Sequence, residues 1–173
     1  MSLIELLRWT LGLLQLRASP EQLPESRPLM AELVLLDLGF VLMFQEAIGL
    51  PYSVAEIAFA WIVEIAVVLT LLTVFGYSRR AVQTLSAMAI ASISINCVLL
   101  PITLGLVRSR GAETTMDLEL LQLGWLSLVL WSIVVKAHVL RHALSLLFWY
   151  ALPVALLVFI VTAQLTFWMF PGE

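Results

Sequence analysis

Charge is scarce in this chain, and cysteine is nearly absent. Only 12% of its 173 residues are Asp, Glu, Lys or Arg, against about 25% in ordinary soluble domains. That excludes a well-solvated globule, because 62% of the residues are hydrophobic and a small water-soluble core could not hide so much apolar surface. The single cysteine, Cys97, excludes an internal disulfide and reads as a small packing residue inside a helix. No block of basic residues exists and the formal net charge is only −3, so nucleic acid is not an expected partner. There is no internal repeat, no low-complexity tract, no glycine-rich phosphate loop, no HExxH pair and no GxSx serine pattern. Ser86, Ser92, Ser94 and Thr103 lack the ordered base that a nucleophile needs. No enzyme activity, cofactor or metal site is therefore expected. The N-terminus has no basic residue ahead of its apolar part and no small-x-small site after it, so it does not read as a cleaved signal peptide.

What the chain does have is apolar runs of membrane-crossing length. A crossing takes about 20 such residues, and five segments qualify. They lie near Leu29 to Ile48, Ala55 to Phe75, Ala81 to Leu106, Leu118 to Ala137 and Ala143 to Phe170. The expected fold is all-α, a polytopic bundle of five transmembrane helices with an N-terminal interfacial helix. Its parts are residues 1–28 (interfacial helix and linker), 29–170 (the membrane domain) and 171–173 (a short tail). Within 2–17, Ser2, Glu5, Arg8, Gly12 and Gln15 make one narrow polar stripe and leucines fill the rest. That pattern suits a helix lying in the membrane interface with Trp9 near the headgroups. The linker ASPEQLPESRP offers Ser19 as an N-cap ahead of Pro20 with Gln22 as its capping-box partner, and Pro28 opens the first span. Gly49, Pro51 and Ser53 form a tight turn. The third span is rich in Ala and Ser, which allows close backbone approach and a central position. Pro101 and Pro153 are expected to bend the third and fifth spans.

Basic residues orient the bundle. Arg8, Arg17, Arg27, Arg79, Arg80, Lys136 and Arg141 fall on one side of five crossings, and only Arg108 and Arg110 on the other. The positive-inside rule then puts the N-terminus in the cytoplasm and the C-terminus outside, in a bacterial inner membrane. Trp61, Trp125, Trp149 and Trp168 mostly fall within two turns of a span end, as an aromatic belt requires.

Two acids interrupt the apolar runs. Asp37 lies inside the first span and Glu64 inside the second. A carboxylate at that depth costs about 2.5–3.5 kcal/mol on insertion scales and needs a partner or a proton. Counting about 1.5 Å per residue puts both roughly 12–14 Å deep in a core of about 30 Å, so they are nearly level. Facing each other, they would share a proton or bind a cation, with Asn96 as a third polar member. The alternative is that each acid is neutral and bonded to a local hydroxyl or carbonyl, or that they point to different neighbours and never meet. His138 and His142 have metal-ligand spacing, but Lys136 and Arg141 beside them disfavour a divalent cation. With Arg8 and Trp9 these four residues are read as contacts to anionic lipid or to a partner on the cytoplasmic face.

The amphipathic first helix, the linker ASPEQLPESRP, the five spans and the stretch FGYSRRAVQTLSAMAIASISINCVLLPITL, a glycine and basic turn leading into a small-residue helix that ends in Leu-Pro, together resemble the bacterial Yip1-like membrane proteins. The resemblance implies a five-helix bundle. Eukaryotic members of that family act in vesicle traffic with small GTPases, and the bacterial branch is largely without assigned activity. No catalytic motif carries over, and Asp37 and Glu64 stand outside the general family pattern. The expected role is a non-enzymatic scaffold or accessory of a membrane assembly or of envelope organisation. It would have the lipid bilayer and a membrane-protein partner or a second copy as contacts. The alternative is a proton- or cation-coupled transporter subunit built on the two acids, and a weaker one is lipid handling by the interface helix and a lateral groove.

Overall fold

The computed structural model describes residues 3–49, 53–109 and 116–171. It is helical among these residues: α1 (Leu3–Leu14), α2 (Arg27–Ile48), α3 (Val54–Val74), α4 (Ala81–Arg108), α5 (Met116–Ala143) and α6 (Phe148–Met169), with short 3₁₀ turns at Pro20–Gln22 and Ser78–Arg80. Five of these segments are long and apolar enough to cross a membrane, and the chain is a multi-pass membrane protein of the polytopic helical class. Much of the exposed surface is apolar, including Leu35, Ile62, Leu123, Trp149 and Trp168, which lipid rather than water must cover.

The boundaries follow from local chemistry. Ser26 caps α2 by accepting from the Leu29 amide, and Pro28 sits in the first turn, where a missing N–H costs nothing. Ser19 makes no side-chain cap, so the expected capping box does not form and Pro20–Gln22 stays a single 3₁₀ turn. Pro101 and Pro153 lie inside continuous helices. Three helices end in a reversal where one amide reaches back five residues: Arg17 to Gly12, Tyr77 to Leu72 and Leu146 to Arg141. The turning residues are left-handed: Leu16, Gly76 and Ser145. Glycine takes that conformation freely; leucine and serine do so only where packing holds them. The sharpest boundary differences lie between the last two spans. The fourth helix continues through KAHVLRH to Ala143, and the fifth begins at Phe148. Part of the Gly49–Ser53 turn and of the loop after Arg108 lies outside the described residues.

Around the bundle, α2 packs on α4, α4 on α5, α5 on α6 and α6 on α3, whereas α2 and α3, neighbours in sequence, touch only lightly. Helix α4 is central at its first half, where every residue from Gln83 to Ala91 is buried. Ala87, Ala89 and Ala91 let the neighbours approach, and Thr84, Ser86 and Ser94 satisfy their hydroxyls on carbonyls one turn back. Cys97, expected inside, is exposed on the far half of this helix.

The N-terminal segment is part of this packing. Trp9 and Leu13 belong to the buried core, and Trp9 Nε1 donates to the Ser19 carbonyl. Gln83 Nε2 donates to the Glu21 and Leu23 carbonyls. Arg80 donates to the His142 and Ala143 carbonyls and to Ser145 Oγ at the end of α5, and pairs with Glu21. A guanidinium suits this task, because the last carbonyls of a helix are orphaned and carry its negative pole. Charged hydrogen bonds of this kind contribute about 1.5–3 kcal/mol. Arg80→Ala should therefore lower stability by about 2 kcal/mol, read as a lower unfolding midpoint in detergent, with Arg80→Lys recovering only part.

Candidate functional site

The light contact between α2 and α3 leaves a cavity of about 310 Å³, and both intramembrane acids line it. Asp37 comes from the middle of α2 and Glu64 from the middle of α3. Gln45, Trp61, Ser92, Thr162 and Lys136 also reach its wall. The acids thus line one cavity.

The third charged member departs from the sequence expectation, in which Lys136 belongs to an interfacial cluster touching lipid or a partner. Its Nζ donates instead to Glu64 Oε1 at 2.6 Å, and both side chains are about three-quarters buried. At this depth an ion pair offsets much of the desolvation cost that either charge alone would carry. A signal was present: Lys136 is the only lysine in the chain. It stands seven residues before the end of α5, about 10 Å inside at 1.5 Å per residue.

Asp37 is the more deeply buried of the two acids, and unlike Glu64 it has no ion-pair partner among the described residues. It is 6% exposed, and its Oδ2 accepts from Trp61 Nε1 at 3.3 Å. Its Oδ1 is buried with no well-formed hydrogen bond, and the Ser92 hydroxyl stands beside the carboxyl as a further hydrogen-bonding group. Glu64 and Lys136 both act on it electrostatically. One lysine against two acids cannot balance the group, so the cavity has an unmet need for one positive charge, a proton or a cation. Trp61, expected in an aromatic belt, is the side chain that bridges α3 to Asp37. Asn96 does not reach this cavity. It lines a smaller adjoining one of about 150 Å³ with Ser92, Ser132 and Lys136, and its Nδ2 donates to Ser92 Oγ at 3.4 Å. Ser92 and Lys136 belong to both compartments.

The other lipid or partner candidates divide. Arg8 is exposed, as a surface contact requires. Trp9 is buried and turned toward the linker. His138 is 1% exposed, with Nε2 2.7 Å from the Ala18 carbonyl, so it anchors the N-terminal segment instead of touching lipid. Arg141 and His142 are half-buried; Arg141 lies over the Phe148 ring, and His142 meets His138 edge-on. Among the described residues no three His, Cys, Asp or Glu side chains cluster as a metal site would need.

Compared with protein-family models, curated proteins and solved structures, the chain has no match. Its function must be argued from the site itself.

Proposed function

We propose that this protein moves a proton or a small cation through the centre of its bundle, with Asp37 as the exchanging group and the Glu64–Lys136 pair as its fixed electrostatic partner. The observation that carries this is a buried carboxyl, Asp37, on the wall of the same cavity as an intact ion pair, with Trp61 and Ser92 as its only hydrogen-bonding neighbours among the described residues. A structural carboxyl would have both oxygens bonded. An exchanging one is held by neutral donors, here Trp61 and Ser92, that can yield to an arriving charge. Lys136 supplies a counter-charge that lets Asp37 and Glu64 coexist in one compartment. Ser92, Asn96 and Ser132 extend polar lining behind it. The membrane is the cytoplasmic one, with the N-terminus inside, on the strength of the arginine distribution.

This reverses the order that the sequence suggests, in which a non-enzymatic scaffold stood first. Under a scaffold role the ion pair would be only a clip between α3 and α5. The test is flux. Purified protein in liposomes, driven by an imposed potential, should carry protons or sodium faster than empty vesicles. Asp37→Asn should bring the rate down to that of empty vesicles while the protein still elutes as folded. Wild-type vesicles that leak no faster than empty ones would remove this reading and restore the scaffold.

A further inference from the structure

A second compartment lies between α3 and α6. It has a volume of about 640 Å³ and reaches from Glu56 and Phe170 at the ends of those helices to Glu64 and Lys136 at its base. Its lining combines three phenylalanines, Phe159, Phe167 and Phe170, with two acids and two threonines. The threonines are unusual for this chain. Thr10, Thr70, Thr73, Thr84 and Thr103 each donate to the carbonyl four residues back. Thr162 and Thr166, one turn apart on α6, do not, and their buried hydroxyls have no partner. Buried hydroxyls are almost always bonded, and the cheap local bond to the helix was available to both.

Glu56 stands in the first turn of α3, where the helix dipole favours its negative charge, and it has no ion-pair partner among the described residues. With Lys136 committed to Glu64, the compartment carries one uncompensated negative charge beside aromatic faces. Phe170 is held edge-on against Phe59 at 5.8 Å, which fixes the aromatic wall at the mouth. Toward the other end of α3 and α5, Val68, Leu72, Val135, Val139 and Leu140 are all fully buried, an apolar plug below the ion pair.

We propose that this crevice binds an organic monocation of ligand size, with its ammonium beside Glu56, its hydrocarbon against Phe159 and Phe167, and the Thr162 and Thr166 hydroxyls, closed off in this structure, turning toward it on binding. Aromatic faces and an acid together recognise such cations, and the volume lies within the usual range of about 300–1,000 Å³ for ligand sites. Phe159 and Phe167 are 45% and 66% exposed, so the crevice opens sideways toward lipid as well as at the Glu56 end. The inference goes beyond the transport reading: the central cavity serves a proton or small cation through Asp37, and this crevice adds a separate site for an organic cation.

The test is calorimetric titration of the full-length protein in lipid nanodiscs with benzyltrimethylammonium, and with benzyl alcohol as the uncharged counterpart. The cation should bind saturably at one site and the alcohol should not. Glu56→Gln should weaken binding about tenfold or more, since it removes the counter-charge. Thr162→Val with Thr166→Val should weaken it several-fold, and Thr162→Ser with Thr166→Ser should restore it. Leu11→Ala, on the exposed side of α1, should leave it within twofold. No saturable binding, equal binding of the alcohol, or an unchanged affinity in folded Glu56→Gln protein would overturn the proposal. Flux in liposomes and titration in nanodiscs are read separately, so failure of the crevice site appears as lost saturable binding with flux intact, and failure of the central reading as absent flux with binding intact.

Discussion

Replacing Lys136 with methionine should destabilise the protein by about 3–5 kcal/mol, the usual consequence of removing one partner from a buried ion pair. Methionine keeps much of the lysine stem's volume, so the loss reports charge more than packing. What remains is Glu64 facing α5 with no cation, in the middle of an apolar bundle. Adding Glu64→Gln should recover most of the stability, because the stranded charge is then gone. Thermal unfolding of the four proteins in one detergent closes the cycle, and the coupling between the two sites should exceed 1 kcal/mol, within the about 0.5–3 kcal/mol found for residues in contact. Additive effects would mean that the two side chains do not form a desolvated pair. The double variant also separates the roles: it should fold and yet fail to carry flux, because the counter-charge facing Asp37 has changed.

The second large effect concerns the N-terminal segment. Leu13 is fully buried and belongs to the main core, so Leu13→Ala should cost about 2–5 kcal/mol. Leu11, two positions away and 60% exposed, is the control, and Leu11→Ala should stay within about 0.5 kcal/mol. The damage should be local. Hydrogen exchange across α1 and the Pro20–Gln22 turn should rise steeply in Leu13→Ala, trypsin should reach Arg17, and the exchange of α4 should rise much less. If Leu13→Ala behaves like Leu11→Ala, the segment does not dock as described.

The spans were legible because lipid imposes a length on apolar runs that few other contexts do. The central place of α4 was legible from its alanines and serines for a similar reason, since small side chains are what close helix approach requires. Two things were hidden. The stripe containing Trp9 and Leu13 has the same spacing whether it faces lipid or protein, and only the Ala18–Leu23 turn, which folds the chain back onto α4 and α5, decides between them. Lys136 near a helix end reads by default as a lysine reaching for the interface. Its true direction depends on α3 lying beside it, and the order α2–α4–α5–α6–α3 around the bundle is not written in any one segment. Asp37 and Glu64 were found because a carboxylate in a membrane span stands out against its neighbours. Thr162 and Thr166 were not found, because a threonine that forgoes its helix carbonyl looks like any other in a sequence.

Helices α4 and α5 have 28 residues each, against 21 or 22 for the other three spans. At about 1.5 Å per residue they are roughly 42 Å long, well beyond a hydrocarbon layer of about 30 Å. Their surplus falls at the end away from the Arg80 clamp, so this hairpin either projects from the bilayer or leans within it. Leaning depends on bilayer thickness, and Lys136 travels with α5 while Glu64 stays with the shorter α3. A change in lipid chain length should therefore shift the register between the lysine and its acid.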